Sequence, residues 1–262
     1  MRLCALASGS SGNALLVEER ETKILVDAGL SGKKICSALK EIEVDINDLD
    51  ALVITHEHQD HVKGAGIISR RYDLPVYARE ETWEAMEEMV GRIAPENQHV
   101  LDMNEEIGCL KVECFPTFHD AVDPVAYSFY GAEKKATVLT DTGKINQSLI
   151  EEMAEADLLA LESNHDVEML KVGPYPYQLK RRIMSSKGHL SNVQSGEALA
   201  KALNGQKKQV ILAHLSRENN FPELAYQTVK NILHDFDLEI GEDLDLYLSR
   251  HNKPSKILET NK

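Results

Sequence analysis

The stretch Thr55-His56-Glu57-His58-Gln59-Asp60-His61 follows directly on Ala51-Leu52-Val53-Ile54. The four residues before it are apolar and rich in β-branched side chains, so they read as a buried strand. Three histidines and an aspartate then fall between His56 and His61. Ligand-type residues thus hang off the end of a strand, where a layered α/β fold places its chemistry. Imidazole together with carboxylate suits zinc, manganese or iron better than calcium or magnesium. One strand end cannot point four side chains at a single ion without crowding. His56 and His58 alternate onto one side, whereas Asp60 and His61 swing away as the chain turns. Two adjacent divalent metals are therefore expected. A histidine-rich surface loop, the alternative, accounts poorly for a buried strand immediately before such tight spacing.

Working outward, other apolar runs also end in polar residues. Residues 2–7 read as a first strand, followed by the Ser8-Gly9-Ser10-Ser11-Gly12-Asn13 loop and a second strand over 14–17. That loop is either a flexible turn or a polar lip whose Ser10, Ser11 and Asn13 hold a phosphate or terminal nucleotide. A third strand, 23–26, ends at Asp27, and an amphipathic helix over 31–43 carries Ile35, Leu39 and Ile42 on one face. Beyond the histidine motif, a helix runs from about 62 to 72, then a short strand over 74–77. A helix over 80–93 follows, whose Trp83, Met86 and Met89 read as core packing. A strand over 110–115 leads to His119, with Asp120 and Asp123 as loop carboxylates. A hairpin of 125–130 and 135–139 ends in Asp141.

Helix 145–156 and strand 157–161 lead to Glu162-Ser163-Asn164-His165-Asp166. Tyr175-Pro176-Tyr177 breaks regular structure. The cations Lys180, Arg181, Arg182 and Lys187 precede Gly188-His189-Leu190-Ser191, and Ser191 or Asn192 caps a helix to about 203. The strand over 207–213 ends at His214, and a helix over 222–235 and a strand over 244–248 close the chain. Five strand ends deliver Asp27, the 56–61 cluster, His119, Asp141 and His214. One polar residue at a strand end means little, but five that can converge define a site.

The chain has 262 residues, is 42% hydrophobic and carries no Gly/Ser/Pro-rich linker, which fits one large α/β domain over 1–262. A net charge of −14 argues against a protein that coats nucleic acid or membrane non-specifically. Cys4, Cys36, Cys109 and Cys114 form no Cys-x-x-Cys pair and read as buried thiols of a reducing compartment. The apolar run 3–7 is too short for a signal-peptide core, and nothing reaches transmembrane length. A cytoplasmic protein is expected.

The series His56, His58, Asp60, His61, His119, Asp141 and His214 resembles the ligand set of the metallo-β-lactamase fold superfamily. It looks most like the phosphodiesterase branch that includes ribonuclease Z and the phosphonate-pathway cyclic phosphodiesterase. The Ser8–Asn13 loop, Glu162-Ser-Asn-His-Asp166, Gly188-His-Leu-Ser-Asn192 and Ala213-His-Leu-Ser-Arg-Glu-Asn219 narrow the resemblance to the bacterial WalJ/YycJ family. Some members of that family are described as DNA exonucleases. The resemblance implies an αββα four-layer sandwich. It makes His119 the third imidazole of one metal, Asp141 the carboxylate bridging both, and His214 the last ligand. Asp27, otherwise an ordinary strand-end cap, would support the metal loop from behind. His189 resembles the non-ligand catalytic histidine of ribonuclease Z, with a helix-start hydrogen-bonding residue as the alternative. No Gly/Pro-rich arm of the kind ribonuclease Z uses for tRNA is present. His58 is not the carboxylate a flavo-diiron oxidoreductase would carry there.

Two metals about 3.5 Å apart can share a hydroxide and clamp the oxygens of a phosphate. Asp60 would orient the nucleophile, His189 would protonate the leaving oxygen, and His165 would orient His189 or the substrate. The cations Lys180, Arg181, Arg182 and Lys187 either neutralise substrate phosphates or form a solvated charge run. The expectation is a dinuclear phosphodiesterase using zinc, manganese or iron, acting on nucleic-acid ends as a 5′→3′ DNA exonuclease. The alternatives are a small-molecule cyclic phosphodiesterase and a non-catalytic regulatory scaffold. No base-reading module or aromatic platform stands out in the sequence.

Overall fold

The structure, a computed structural model, describes residues 1–260. In chain order the first sheet is built from β1 (Arg2–Ala7), β2 (Ala14–Glu19), β3 (Thr22–Val26), β4 (Ala51–Val53), β5 (Val76–Ala78) and β6 (Gln98–Val100). The second contains β7 (Asn104–Ile107), β8 (Leu110–Pro116), β9 (Val125–Tyr130), β10 (Lys135–Leu139), β11 (Leu158–Glu162), β12 (Lys208–Ala213) and β13 (Leu244–Leu248). A last short strand, β14 (Leu258–Glu259), returns to the first sheet and pairs with β1. The orders are β14-β1-β2-β3-β4-β5-β6 and β13-β12-β11-β10-β9-β8-β7.

The central strands are apolar on both faces because the sheets are covered on both sides there, whereas the edge strands β6 and β7 are largely exposed. Leu3 and Ala5 of β1 pack between the sheets, while Cys4 and Leu6 pack toward helices. In β12, Ile211 and Ala213 face the other sheet and Val210 and Leu212 face helices. Helices α1 (Gly32–Glu41), α2 (Gln59–Val62), α3 (Ala65–Tyr72) and α4 (Glu80–Val90) follow strands of the first sheet. Helices α5 (Gln147–Glu155), α6 (Val167–Val172), α7 (Tyr177–Ile183), α8 (Asn192–Ala202) and α9 (Pro222–Asp235) belong to the half of the chain that builds the second. Three apolar layers between four structural layers give the αββα sandwich. None of these helices is long and apolar enough to cross a membrane.

Several expected elements shift. The helix expected from 62 to 72 is two helices, α2 and α3, because Gly64 turns the chain where its N–H reaches Ala28 O at 2.7 Å. The helix expected over 145–156 begins at Gln147, since the Asn146 side chain caps it by accepting from Leu149 N. Met86 is buried, but Met89 is exposed, so the expected core stripe on α4 is only partial. Trp83 is partly buried and donates its indole N–H to His99 O at 2.9 Å. Pro176, expected as a breaker, is the N-cap of α7, which places Lys180, Arg181 and Arg182 on a helix. Of the four cysteines, Cys4 and Cys114 are buried, Cys36 is half-buried and Cys109 is exposed, its Sγ near Glu19 O.

The directions of the strands decide where polar residues gather. β1 and β3 run parallel, because each pairs antiparallel with β2. β4 continues parallel to β3. In the second sheet β8, β10, β11 and β12 share one direction. The C-terminal ends of these strands face the same edge of the sandwich, where both sheets open.

Candidate metal centre

The loop after β4 is held from behind by Asp27. Its carboxylate accepts from Thr55 N at 2.9 Å, from Thr55 Oγ1 at 2.9 Å and from His61 Nδ1 at 2.7 Å. Asp27, Asp141 and His214 adopt φ of 61°, 56° and 54°. Left-handed backbone is uncommon outside glycine and costs on the order of 1–3 kcal/mol when the surroundings impose it. Here it turns three strand ends sharply, so that their side chains lie across the edge of the sandwich. His58 caps the one-turn helix α2, and that turn carries Asp60 and His61 away from His56 and His58.

Two donor sets result. His58 Nδ1 lies 3.1 Å from His56 Nε2 and 3.2 Å from His119 Nε2. Asp60 Oδ2 lies 3.8 Å from His61 Nε2 and 3.7 Å from His214 Nε2. Asp141 stands between the sets, with Oδ2 at 3.3 Å from His61 Nε2 and Oδ1 at 3.8 Å from His119 Nε2.

The outer ring nitrogens reveal where the protons sit. His61 Nδ1 meets the Asp27 carboxylate, His214 Nδ1 meets Glu162 at 2.9 Å, and His119 Nδ1 meets the Gly188 carbonyl at 3.0 Å. Each of those partners can only accept, so each ring donates outward and turns a lone pair inward. Lone pairs at such separations repel unless a cation lies among them. Asp141 Oδ2 and His214 Nε2 are also buried without a hydrogen-bond partner among the described residues. The donor sets fit divalent metal ions.

The electrostatics agree. Burial, then the neighbouring His61, His119 and His58 rings, push the His56 imidazole well below its ordinary value. Burial opposes charge on His61, yet Asp141, Asp27 and Asp60 raise it to about 9. His214 is likewise raised against burial by Asp141, Asp60 and Glu162. Asp60 is held well below the carboxylate range, against burial, chiefly by His61 and His214. The carboxylates that raise His61 and His214 create a field that draws positive charge to the inner ring nitrogens, where a metal ion would take the place of a proton.

Glu162, at the end of β11, is the functional residue that sequence reasoning missed. Its Oε1 accepts from His189 Nδ1 at 2.7 Å and from His214 Nδ1 at 2.9 Å. Its Oε2 accepts from Thr142 N at 3.0 Å and Leu190 N at 3.2 Å. The signal was present, since Glu162 ends an apolar strand as Asp27 and Asp141 do. The His165 ring, expected to orient His189 or the substrate, makes no hydrogen bond to His189 among the described residues and lies outside the cleft lining. The two segments meet through backbone, with Asn192 N donating to His165 O and Asn164 N to Leu190 O, both at 2.9 Å.

A cleft of about 200 Å³ opens over the donors, lined by Ser10, His58, Asp60, His189 and Arg182 among others. Of the residues expected to hold substrate, Ser10 and Arg182 reach it. Ser11 is exposed outside the cleft. Asn13 is buried, because its Oδ1 accepts from Ser8 Oγ and Gly9 N and its Nδ2 lies 3.1 Å from His61 Nε2. Asn13 thus braces the lip from beneath and does not line the cleft. Arg182 pairs with Asp120, its Nη2 at 3.0 Å from Oδ1. Lys180 donates to Lys171 O, Arg181 lies over the Tyr177 ring, and neither they nor Lys187 line the cleft.

Comparison with known proteins places this geometry. A family model described as a beta-lactamase superfamily domain matches residues 22–215. The chain is 41% identical to exodeoxyribonuclease YycJ of Bacillus anthracis, over 98% of both chains. It is 45% identical to exodeoxyribonuclease WalJ of Streptococcus pneumoniae, over 92% of this chain and 91% of that one. Among solved structures, the metallo-β-lactamase fold protein YhfI of Bacillus subtilis superposes with a TM-score of 0.72 at 18% identity, over 97% and 98% of the two chains. That last likeness is one of fold.

Proposed function

The chain belongs to the beta-lactamase superfamily domain family, and from that premise we propose that it is a dinuclear metal-dependent phosphodiesterase that removes nucleotides from DNA ends in the 5′→3′ direction. The observation that carries this reading is the convergence of two imidazole–carboxylate donor sets on one cleft, in a chain 41% identical over its near-full length to an exodeoxyribonuclease.

In this reading His56, His58 and His119 hold one metal, Asp60, His61 and His214 the other, and Asp141 is shared. Zinc, manganese and iron all suit the set. When bound, such ions supply Lewis acidity toward phosphate oxygens and lower the pKa of water. The chain's own residues do the rest. Asp27 fixes the His61 tautomer and Glu162 fixes that of His214. Asp60, at the cleft, accepts a hydrogen bond from the attacking water. Glu162 accepts a hydrogen bond from Nδ1–H of His189 and so aims Nε2 at the cleft; the doubly protonated ring passes its Nε2 proton to the leaving oxygen and keeps Nδ1–H on Glu162. Arg182 and Ser10 contact non-bridging oxygens at the rim.

Residues 1–262 act as one domain, an assignment supported by the apolar layer that the two sheets share. The free thiols support action in the reducing cytoplasm.

The test is hydrolysis of 3′-labelled DNA and RNA strands beside bis-p-nitrophenyl phosphate, with manganese or zinc added. Stepwise shortening of DNA is expected, abolished in Asp60→Ala. His189→Ala should lower turnover by about 10²–10⁴-fold while metal content stays intact. Hydrolysis of the small ester alone would replace this reading with a small-molecule phosphodiesterase.

A further inference from the structure

The cleft has room for one scissile phosphate, yet a nuclease must also hold the strand attached to it. β12 and β13 run parallel with Leu212 opposite Leu248, and beyond their ends Ser8 ties the two segments together, its Oγ accepting from His214 N at 2.7 Å. Residues 249–256 read Ser-Arg-His-Asn-Lys-Pro-Ser-Lys, with three cations and no acid, in a chain of net charge −14.

This segment is stitched to the site. Ser8 N donates to Arg250 O at 3.1 Å and Ser249 N to Leu212 O at 2.9 Å. Arg217, three residues beyond His214, donates to Asn252 Oδ1 at 3.2 Å. Gly9, at φ 145°, lies so close to the His251 ring that a Cβ there would fall 2.4 Å from Nδ1. The lip of the cleft and the basic segment are therefore in direct contact. Beyond them opens a groove of about 640 Å³, larger than the cleft itself. Tyr226 of α9, Tyr247 of β13, Arg250 and Lys256 wall it, with Glu223 its one acid. Lys256 Nζ sits 4.3 Å from the Tyr247 ring centroid and donates to its hydroxyl at 2.9 Å.

Cations interleaved with aromatic rings along a groove are the chemistry that holds single-stranded nucleic acid, phosphates on the charges and bases on the rings. We infer that this groove holds the single-stranded DNA that runs on from the cleaved end, with phosphates on Arg250 and Lys256 and bases against Tyr226 and Tyr247. The inference rests on the nuclease reading above. It supplies the aromatic platform that the sequence did not display, because Tyr226 and Tyr247 lie on different elements.

The metal-loaded protein is titrated against a fluorescent phosphorothioate-linked oligothymidylate over a range of salt. The double variant Arg250→Glu/Lys256→Glu is compared with wild type and with Lys40→Glu/Lys201→Glu, which makes the same charge change on exposed helix positions away from the groove. Thermal midpoints verify folding. If the groove binds DNA, the first variant loses about tenfold or more in affinity, and its salt slope falls by about 1.4, at roughly 0.7 per phosphate. The second keeps the wild-type slope. On cleavable substrates, KM rises for oligonucleotides but not for a dinucleotide. Equal losses in both double variants, or in neither, overturn the groove while leaving DNA shortening by wild type, and so the nuclease reading, in place. A wild type that neither binds nor shortens DNA overturns both.

Discussion

At the scale of single residues, the site's proton inventory extends beyond the metal donors. His165 is buried behind the cleft, and its Nδ1 has no hydrogen-bond partner among the described residues. Burial pushes its imidazole down to about 4, from an ordinary 6.5. The folded chain keeps this ring neutral through a range in which the unfolded chain protonates it. Its contribution to stability is therefore complete above pH 6.5, declines as pH falls and is lost below about 4. The full difference is about 3 kcal/mol, at about 1.4 kcal/mol per pH unit. His165→Leu should accordingly show a flatter fall in thermal midpoint between pH 6.5 and 4 than wild type. Parallel curves for the two proteins would mean that this ring does not contribute to acid sensitivity. Glu162 shows why a residue's role can hide in sequence. Its type was legible, but its task, one oxygen shared by His189 and His214, depends on two segments that fold back from later in the chain.

At the scale of elements, the loop after β3 and the helix α2 touch through backbone. A Cβ on Gly29 would fall 1.6 Å from Asp60 O and 2.7 Å from Asn13 N. Gly29→Ala must therefore push α2 outward, and with it Asp60 and His61, while His56, His58 and His119 keep their own supports. If the site holds two metals as proposed, the expected result is weaker binding of one of them, read as a loss approaching one equivalent by elemental analysis after gel filtration, with a lower thermal midpoint. Unchanged metal content would mean that α2 does not depend on this contact. Elements of this kind were legible wherever an apolar run ended in a polar residue, which covers β1, β3, β4, β8, β10, β11 and β12. They were illegible where the fold supplies the reason for a strand. β6 reads Gln-His-Val and is largely exposed, so it carries no alternation to detect. β14 has two residues and exists because β1 offers it an edge. The division of α2 from α3 follows from Gly64 meeting Ala28 O, a contact no local pattern encodes. Ser10, Arg182 and Asn13 were singled out by residue type. Only the fold distinguishes the two that reach the cleft from the one that braces its lip.

At the scale of the molecule, the donors come from both halves. Asp27 and the His56–His61 cluster lie at the ends of β3 and β4 in the first sheet, and His119, Asp141 and His214 follow β8, β10 and β12 in the second. The sheets meet through an apolar layer that includes Leu3, Leu15, Val53, Tyr127, Phe129 and Ile211. At the open edge that layer gives way to Asp60, Asp141 and Glu162, whose like charges repel unless cations lie between them. Metal binding should therefore act as a clamp across the two sheets as well as a catalytic device. A ligand that binds only the folded state at a thousandfold excess over its Kd adds about 4 kcal/mol. For a chain of this size that corresponds to a midpoint shift of about 10 °C. Chelation should lower the thermal midpoint by that order, and manganese or zinc should restore it saturably. Asp141→Asn, which weakens the donor standing between the two sets, should lose most of the shift. His234→Ala, an exposed histidine on α9 paired with Glu239, should keep all of it. If chelation moved the wild-type midpoint no further than that of Asp141→Asn, the apolar layer alone would be holding the sheets together. The histidine and aspartate sets would then serve only the chemistry at the edge.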